Sequence, residues 1–160
     1  MTAIRLAEPQ DVPRLAVALK SLAETMGDPF AATEADLSRA LHGPAPICRA
    51  QVAGVGKGAF LGAVFYSPIF STIRGAAGIF VSDLWASEQA RGQGLGPRLL
   101  AAALRDAAAC WGASYLKLHV YDDNPNARRF YDRLGFEQST GEAEMVLERD
   151  ACAALVAAQA

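Results

Sequence analysis

The stretch Arg91-Gly92-Gln93-Gly94-Leu95-Gly96 decides how the rest of this chain is read. Before it, residues 76–86 (AAGIFVSDLWA) are apolar and strand-like; after it, residues 95–111 (LGPRLLAAALRDAAACW) are rich in Leu and Ala and helix-like. A glycine-rich turn between strand and helix leaves backbone N–H groups bare at a helix N-terminus. Those groups and the positive end of the helix dipole favour a bound anion. Glycine also lets the backbone approach a bulky phosphate and take up positive φ. The stretch is therefore predicted to be a pyrophosphate cradle, against the plainer reading of a flexible turn with no ligand. Two phosphate motifs are excluded. A Walker loop ends in Gly-Lys-Ser/Thr, whereas Gly96 is followed by Pro97 and Arg98. A dinucleotide fingerprint counted from Gly92 places its third glycine on Pro97.

The pattern that fits is Arg/Gln-x-x-Gly-x-Gly, with Arg91, Gly94 and Gly96. A second block, residues 124–136 (NPNARRFYDRLGF), carries Asn124, Ala127, Phe130, Tyr131, Gly135 and Phe136 in the pattern Asn-x-x-Ala-x-x-Phe/Leu-Tyr-x-x-x-Gly-Phe. Together the two blocks resemble the paired signatures of the GNAT N-acetyltransferases, and the resemblance covers roughly residues 3–148.

The composition agrees with a globular chain. In 160 residues, 52% are hydrophobic and 20% charged, enough for one domain, 1–160, with a sizeable core. Fifteen basic against 17 acidic residues give a net charge of −2, so no basic patch points to nucleic acid. Cys48, Cys110 and Cys152 are odd in number, far apart and without CxxC. They argue against a disulfide scaffold or a metal site and fit a reducing cytoplasm; Cys110, in an Ala-rich helix, reads as packing. No apolar run reaches membrane-spanning length and the N-terminus lacks a signal-peptide pattern, so a cytoplasmic location is expected.

Taken in order, residues 3–7 alternate as a first strand, and Asp11 is placed to cap a helix over 12–26 with Pro13 in its first turn. Val12, Leu15, Leu19, Leu22 and Met26 form its core stripe. Thr33 or Glu34 opens a short helix with Leu37 and Leu41 on one face, and His42 lies at its end. Residues 47–53 and 59–66 read as paired strands joined by a turn at Gly54–Gly58, and 67–75 as a loop. The strand through Ala86 carries Asp83, an acid in apolar surroundings that is either paired with an arginine such as Arg74 or functional. Residues 115–121 alternate as a strand, with Leu116, Leu118 and Val120 on one face and His119 on the other. A helix over 126–134 should turn Phe130 and Leu134 inward and stop at Gly135. Last strands are expected from Phe136, the final one at Met145–Leu147, and residues 150–160 have high helix propensity.

The resemblance implies an α/β (α+β) GNAT fold: a central mixed, mostly antiparallel sheet splayed between its fourth and fifth strands and flanked by helices. Acetyl-CoA, the implied cosubstrate, would enter the splay. Its pyrophosphate would meet the backbone of Arg91, Gly92, Gln93, Gly94, Leu95, Gly96 and Arg98, with charge added by Arg91 and Arg98, while Pro97 offers no N–H. Its pantetheine arm would pair with the backbone around Leu84, Trp85 and Ala86, with Asn124 and Ala127 from the second block nearby. Tyr131 matches the general-acid tyrosine. No Gly-x-Ser-x-Gly and no Cys with an evident His partner is present, which favours direct transfer over an acyl-enzyme. An amine of pKa near 10.4 pays about 4–5 kcal/mol to lose its proton at pH 7, so a base is needed; Asp83 is the first candidate and His119 the second. Residues 70–96 resemble the diamine and thialysine acetyltransferase branch, but at its acidic pair stand Ser82-Asp83, so one acid of the two is kept, which weakens the case for a polycationic substrate and leaves a small primary amine open. The expected acceptor is a primary amine of a small molecule (polyamine, diamine or amino-acid-like). The alternatives are a protein N-terminus or lysine, or a CoA-binding module with no turnover. No nucleic-acid or membrane partner is expected, and a homodimer is kept open.

Overall fold

The computed structural model describes residues 2–54 and 58–159; of the turn predicted at Gly54–Gly58, residues 55–57 lie outside them. The chain forms two compact units, one ending at Tyr121 and the other beginning at Asp122.

The first unit runs β1 (Ala3–Leu6), α1 (Val12–Met26), α2 (Glu34–His42), β2 (Arg49–Gly54), β3 (Phe60–Ser71), β4 (Ala76–Ala86), α3 (Leu95–Trp111) and β5 (Tyr115–Lys117). The strands form one sheet in sequence order. β1 to β4 pair antiparallel, and β5 pairs parallel to β4 after the α3 crossover. That parallel pairing covers only Gly78–Phe80 against Tyr115–Lys117; beyond Phe80, β4 is paired with β3 alone. The expected splay between the fourth and fifth strands is therefore present.

Each face of the sheet has its own cover. Leu15 and Leu19 of α1 and Leu37 and Leu41 of α2 pack with Ala50, Val52 and Ala63 into one core. On the other face α3 buries Leu99, Leu100, Ala103 and Ala107. There Arg49 reaches across to α3 and donates twice to Asp106, at 2.6 and 2.7 Å. The wholly buried Tyr66 donates to Asp106 at 2.5 Å and accepts from Gln51 at 3.2 Å. Burial opposes the charge on Asp106, but the bonds from Arg49 and Tyr66 outweigh it and hold the carboxyl below its ordinary range.

Several expectations are corrected. Asp11 does not cap α1: its carboxylate accepts from Arg5 at 2.5 and 2.9 Å and from the Glu8 N–H at 2.8 Å, closing the 3-10 turn before the helix. β3 continues through the predicted loop to Ser71. Past Tyr66 it has no partner on β2, so Pro68 removes no donor that a second neighbour requires. β5 stops at Lys117, although Leu116, Leu118 and Val120 stay half-buried as their alternation predicts. Cys110 is exposed on α3 and not a packing residue.

The second unit holds α4 (Pro125–Arg133) and α5 (Arg149–Ala158). Leu134 is exposed and not turned inward. Between the helices no strand forms among the described residues, and Met145, Val146 and Leu147 are exposed. A short run of strand-forming residues is stable only beside a neighbouring strand, and this unit contains none. No helix among the described residues is long and apolar enough to cross a membrane.

Candidate active site

β4 ends at Ala86, a single 3-10 turn follows at Glu88–Ala90, and the glycine-rich turn then opens α3. Gly92 and Gly94 have φ of 73° and 72°, the left-handed region that glycine enters without cost. Gly94 is the N-cap of α3 and no side chain caps it. The N–H groups of Gly94, Leu95 and Gly96 are thus among those a helix leaves without internal partners. Pro97 takes the last such position, so its missing donor costs the helix nothing and removes only one contact from an anion. A methyl built on Gly92 or Gly94 meets no atom within 4 Å, so the turn is open. A cavity of about 320 Å³ beside it is lined by Gln89, Gln93, Leu95 and Arg98 among others. These features fit a bound diphosphate.

The long side chains of the turn hold its shape. Arg91 Nε donates to the Ala86 carbonyl at 3.1 Å, Gln93 to the Gln89 carbonyl at 2.6 Å and Arg98 to the Thr2 carbonyl at 2.6 Å. The Ala86 carbonyl lies in the segment expected to pair with pantetheine, so Arg91 ties the cradle to the strand end. Next to it, the Ser87 Oγ is buried with no hydrogen-bond partner among the described residues, a feature the sequence reading passed over.

Asp83 owes its orientation to a β-bulge. Phe65 lies opposite Asp83 and Tyr66 opposite Val81, leaving Ser82 as the extra residue. Leu84 lies opposite Val64, and Trp85 opposite Ala63. Asp83 is half-buried, and burial pushes its carboxyl above the ordinary range, with only partial relief from a hydrogen bond by Ser82. Among the described residues no basic side chain pairs with it. Arg74, the partner considered for it, lies over the Tyr115 ring at 4.9 Å. No arginine among the described residues forms the ion pair. His119, the second candidate base, meets Phe80 edge to face at 5.0 Å.

In the second unit the signature residues shape α4. The Asn124 side chain accepts from the Ala127 N–H at 3.0 Å, so Asn-x-x-Ala is a helix cap. Gly135, at φ 87°, ends the helix, and the Phe136 N–H returns to the Tyr131 carbonyl at 3.1 Å. The Tyr131 ring meets Phe130 at 4.9 Å and Phe136 at 5.2 Å, and burial pushes its phenol up to about 12. Its hydroxyl has no hydrogen-bond partner among the described residues.

The Arg49–Tyr66–Asp106 network leaves one mark in the sequence, a lone acid inside an Ala-rich helix, and that mark names neither partner. Cys48 is half-buried with its thiol pushed up by burial, the reverse of an activated nucleophile.

Comparison with known proteins bears on this geometry. The acetyltransferase (GNAT) family model matches residues 19–136. YhfO of Bacillus subtilis (strain 168), an uncharacterized N-acetyltransferase, is 37% identical over 85 residues, which span 53% of this chain and 56% of that relative. The chain therefore matches little more than half the length of this curated relative. The ribosomal-protein-alanine N-acetyltransferase of Brucella melitensis biovar Abortus 2308 has a similar fold, with a TM-score of 0.70 at 20% identity over 93% of this chain and 100% of its own. An aminoglycoside acetyltransferase from an uncultured soil metagenomic sample, solved with sisomicin, gives 0.73 at 13% identity over 92% and 97%. At such identities these two structures speak for the fold alone. With a family model matched across most of the chain and the splayed sheet in place, the chain belongs to the GNAT acetyltransferase family.

Proposed function

We propose that this protein transfers the acetyl group of acetyl-CoA to a primary amine of a small molecule by direct attack. The observation that carries the reading is the open glycine cradle at the N-terminus of α3, one short turn beyond the strand that presents Asp83. Bound acetyl-CoA supplies an activated thioester. The N–H groups of Gly94, Leu95 and Gly96, with those of Gly92 and Gln93, hold its diphosphate, the Arg98 side chain adds charge, and the Leu84–Ala86 backbone aligns its arm. Asp83 attracts the ammonium and takes its proton, directly or through water. A carboxyl raised by burial is a stronger base than an exposed one, which reduces the 4–5 kcal/mol or so that deprotonation costs at pH 7. The Tyr131 hydroxyl carries the proton for a departing thiolate; with a pKa of about 12 it is fully protonated at neutral pH. Within this class, the resemblance of residues 70–96 to the diamine and thialysine branch favours a small amine over a protein.

The test is a panel of small amines and peptides with acetyl-CoA, scored by free CoA thiol. Release with a small primary amine is expected. Acetyl-CoA binding without release across the panel refutes transfer.

A further inference from the structure

The face of the sheet that carries Asp83 also carries aromatic side chains that stay half-buried. The register places Phe80, Asp83 and Trp85 on that face: Asp83 lies opposite Phe65 and Trp85 opposite Ala63, and both of these pack against the core under α1 and α2. Tyr66, Val64 and Val81 point the other way, toward α3, where Tyr66 meets Asp106. Phe65, Phe80, Asp83 and Trp85 are all half-buried, so their surfaces are neither sealed in the core nor free in solvent. Further rings extend the wall: Phe60 lies 6.1 Å from Trp85, and His119 stands edge-on to Phe80 at 5.0 Å. The Arg14 guanidinium lies 5.3 Å from the Phe60 ring centroid and donates to the Gly58 carbonyl.

A half-buried carboxylate with no basic partner among the described residues attracts an ammonium, and the rings on the same face offer apolar surface to the rest of the ligand. The same rings are a poor environment for a second charge, which loses its hydration without gaining a counter-ion. A diamine or polyamine brings that second charge; an amine on an aromatic or apolar body brings surface that the rings can cover.

We infer that the acceptor site is built for a monoamine whose ammonium sits on Asp83 and whose aromatic body packs against Phe80 and Trp85. Phe80 and Trp85 are thus specificity-determining residues for the acetyl transfer described above, on which this inference rests. The chemistry is unchanged: the amine nitrogen bonds to the acetyl carbon, the carbon–sulfur bond breaks with its electron pair on sulfur, and the amine proton leaves through Asp83.

The experiment compares 2-phenylethylamine with 1,4-diaminobutane as acceptors for the full chain, using the ratio of their kcat/KM values so that effects on folding and cosubstrate binding cancel. The expected ratio favours 2-phenylethylamine by about tenfold or more, the scale of one ring contact, and falls about tenfold in Phe80→Leu and in Trp85→Leu. A separate binding measurement uses Trp111→Phe, which leaves Trp85 as the only tryptophan. Without acetyl-CoA, 2-phenylethylamine should change its fluorescence saturably. A ratio that favours the diamine, a ratio that neither variant moves, or no saturable fluorescence change overturns the aromatic site. A saturable change with no thiol release from any amine leaves that site standing and overturns acetyl transfer instead.

Discussion

Gly94→Ala separates the geometry of the cradle from its ligand. Gly94 has φ 72° and ψ 15°, and a methyl there touches nothing within 4 Å. The cost in the free protein is therefore the left-handed conformation alone, about 1–2 kcal/mol for a residue with a Cβ. For a chain of this size that lowers Tm by about 2–8 °C. Gly27, the C-cap of α1, is a matched control: its φ is 76°, and a methyl there also meets nothing. Gly27→Ala should show the same loss in Tm. The variants part when acetyl-CoA is added. A ligand at about 100 times its Kd stabilises the parent by about 2.7 kcal/mol, or roughly 5–11 °C. Gly27→Ala keeps that increment, because Gly27 ends α1 and is no part of the turn between β4 and α3. Gly94→Ala loses most of it, because its methyl stands where a phosphate oxygen must approach the backbone. Thermal denaturation of the three proteins with and without acetyl-CoA reads both terms. An equal ligand-induced increment in both variants would refute the placing of the diphosphate on this turn.

Other outcomes follow from single groups. Tyr131→Phe should lower kcat by about 10²–10⁴-fold with acetyl-CoA affinity nearly intact, and full activity at saturating amine would reduce Tyr131 to a packing residue. Asp83→Asn should raise the amine KM, lower kcat, or both, and shift the acidic limb of the pH–rate profile. Because burial raises the Asp83 carboxyl, its charge opposes folding once the pH passes the folded-state value and not below the unfolded one. The Asn variant should therefore be at least as stable as the parent at pH 7, and a less stable variant with normal kinetics would sink the catalytic role. Asp106→Asn should cost about 2–4 kcal/mol at pH 7, a buried pair broken but discounted for the partial exposure of Arg49. The Asp106 carboxyl is held below its ordinary value, so that deficit should be full above about pH 4 and shrink as acid protonates the parent, as urea melts at several pH values would show.

What could be read in advance was local. The cradle rests on glycines within one turn, Asn-x-x-Ala is a cap closed over three residues, and Gly135 stops a helix by its own φ. Each signal acts within a few residues, so the sequence displays it directly. Strand ends are different, because a strand lasts as long as its neighbour pairs with it. Residues 67–75 read as a loop, yet β3 continues to Ser71 because β4 runs beside it. The alternation through Tyr121 suggested a longer β5, yet pairing ends at Lys117 where the sheet splays. The Arg49–Asp106 pair joins residues 57 apart in sequence, and nothing at either position names the other.

The bulge at Ser82 shows why the site needs a departure from regular pattern. Successive strand residues alternate faces, so Val81 and Asp83 in a regular strand would share the face covered by α3. That face holds the buried Tyr66 against the half-buried Asp106 of α3, and a second carboxylate, one without a basic partner, would be costly there. The extra residue reverses the alternation. Ile79 and Val81 point toward α3 before it, and Leu84 takes up that role after it, opposite Val64. Asp83 is thereby delivered to the opposite face, beside Phe65 and in line with Phe80 and Trp85. The sequence carries the mark of this in its apolar spacing, two residues from Ile79 to Val81 and three from Val81 to Leu84. The irregularity that interrupts the strand is thus what brings its one acid to the half-open aromatic face, a short turn before the cradle.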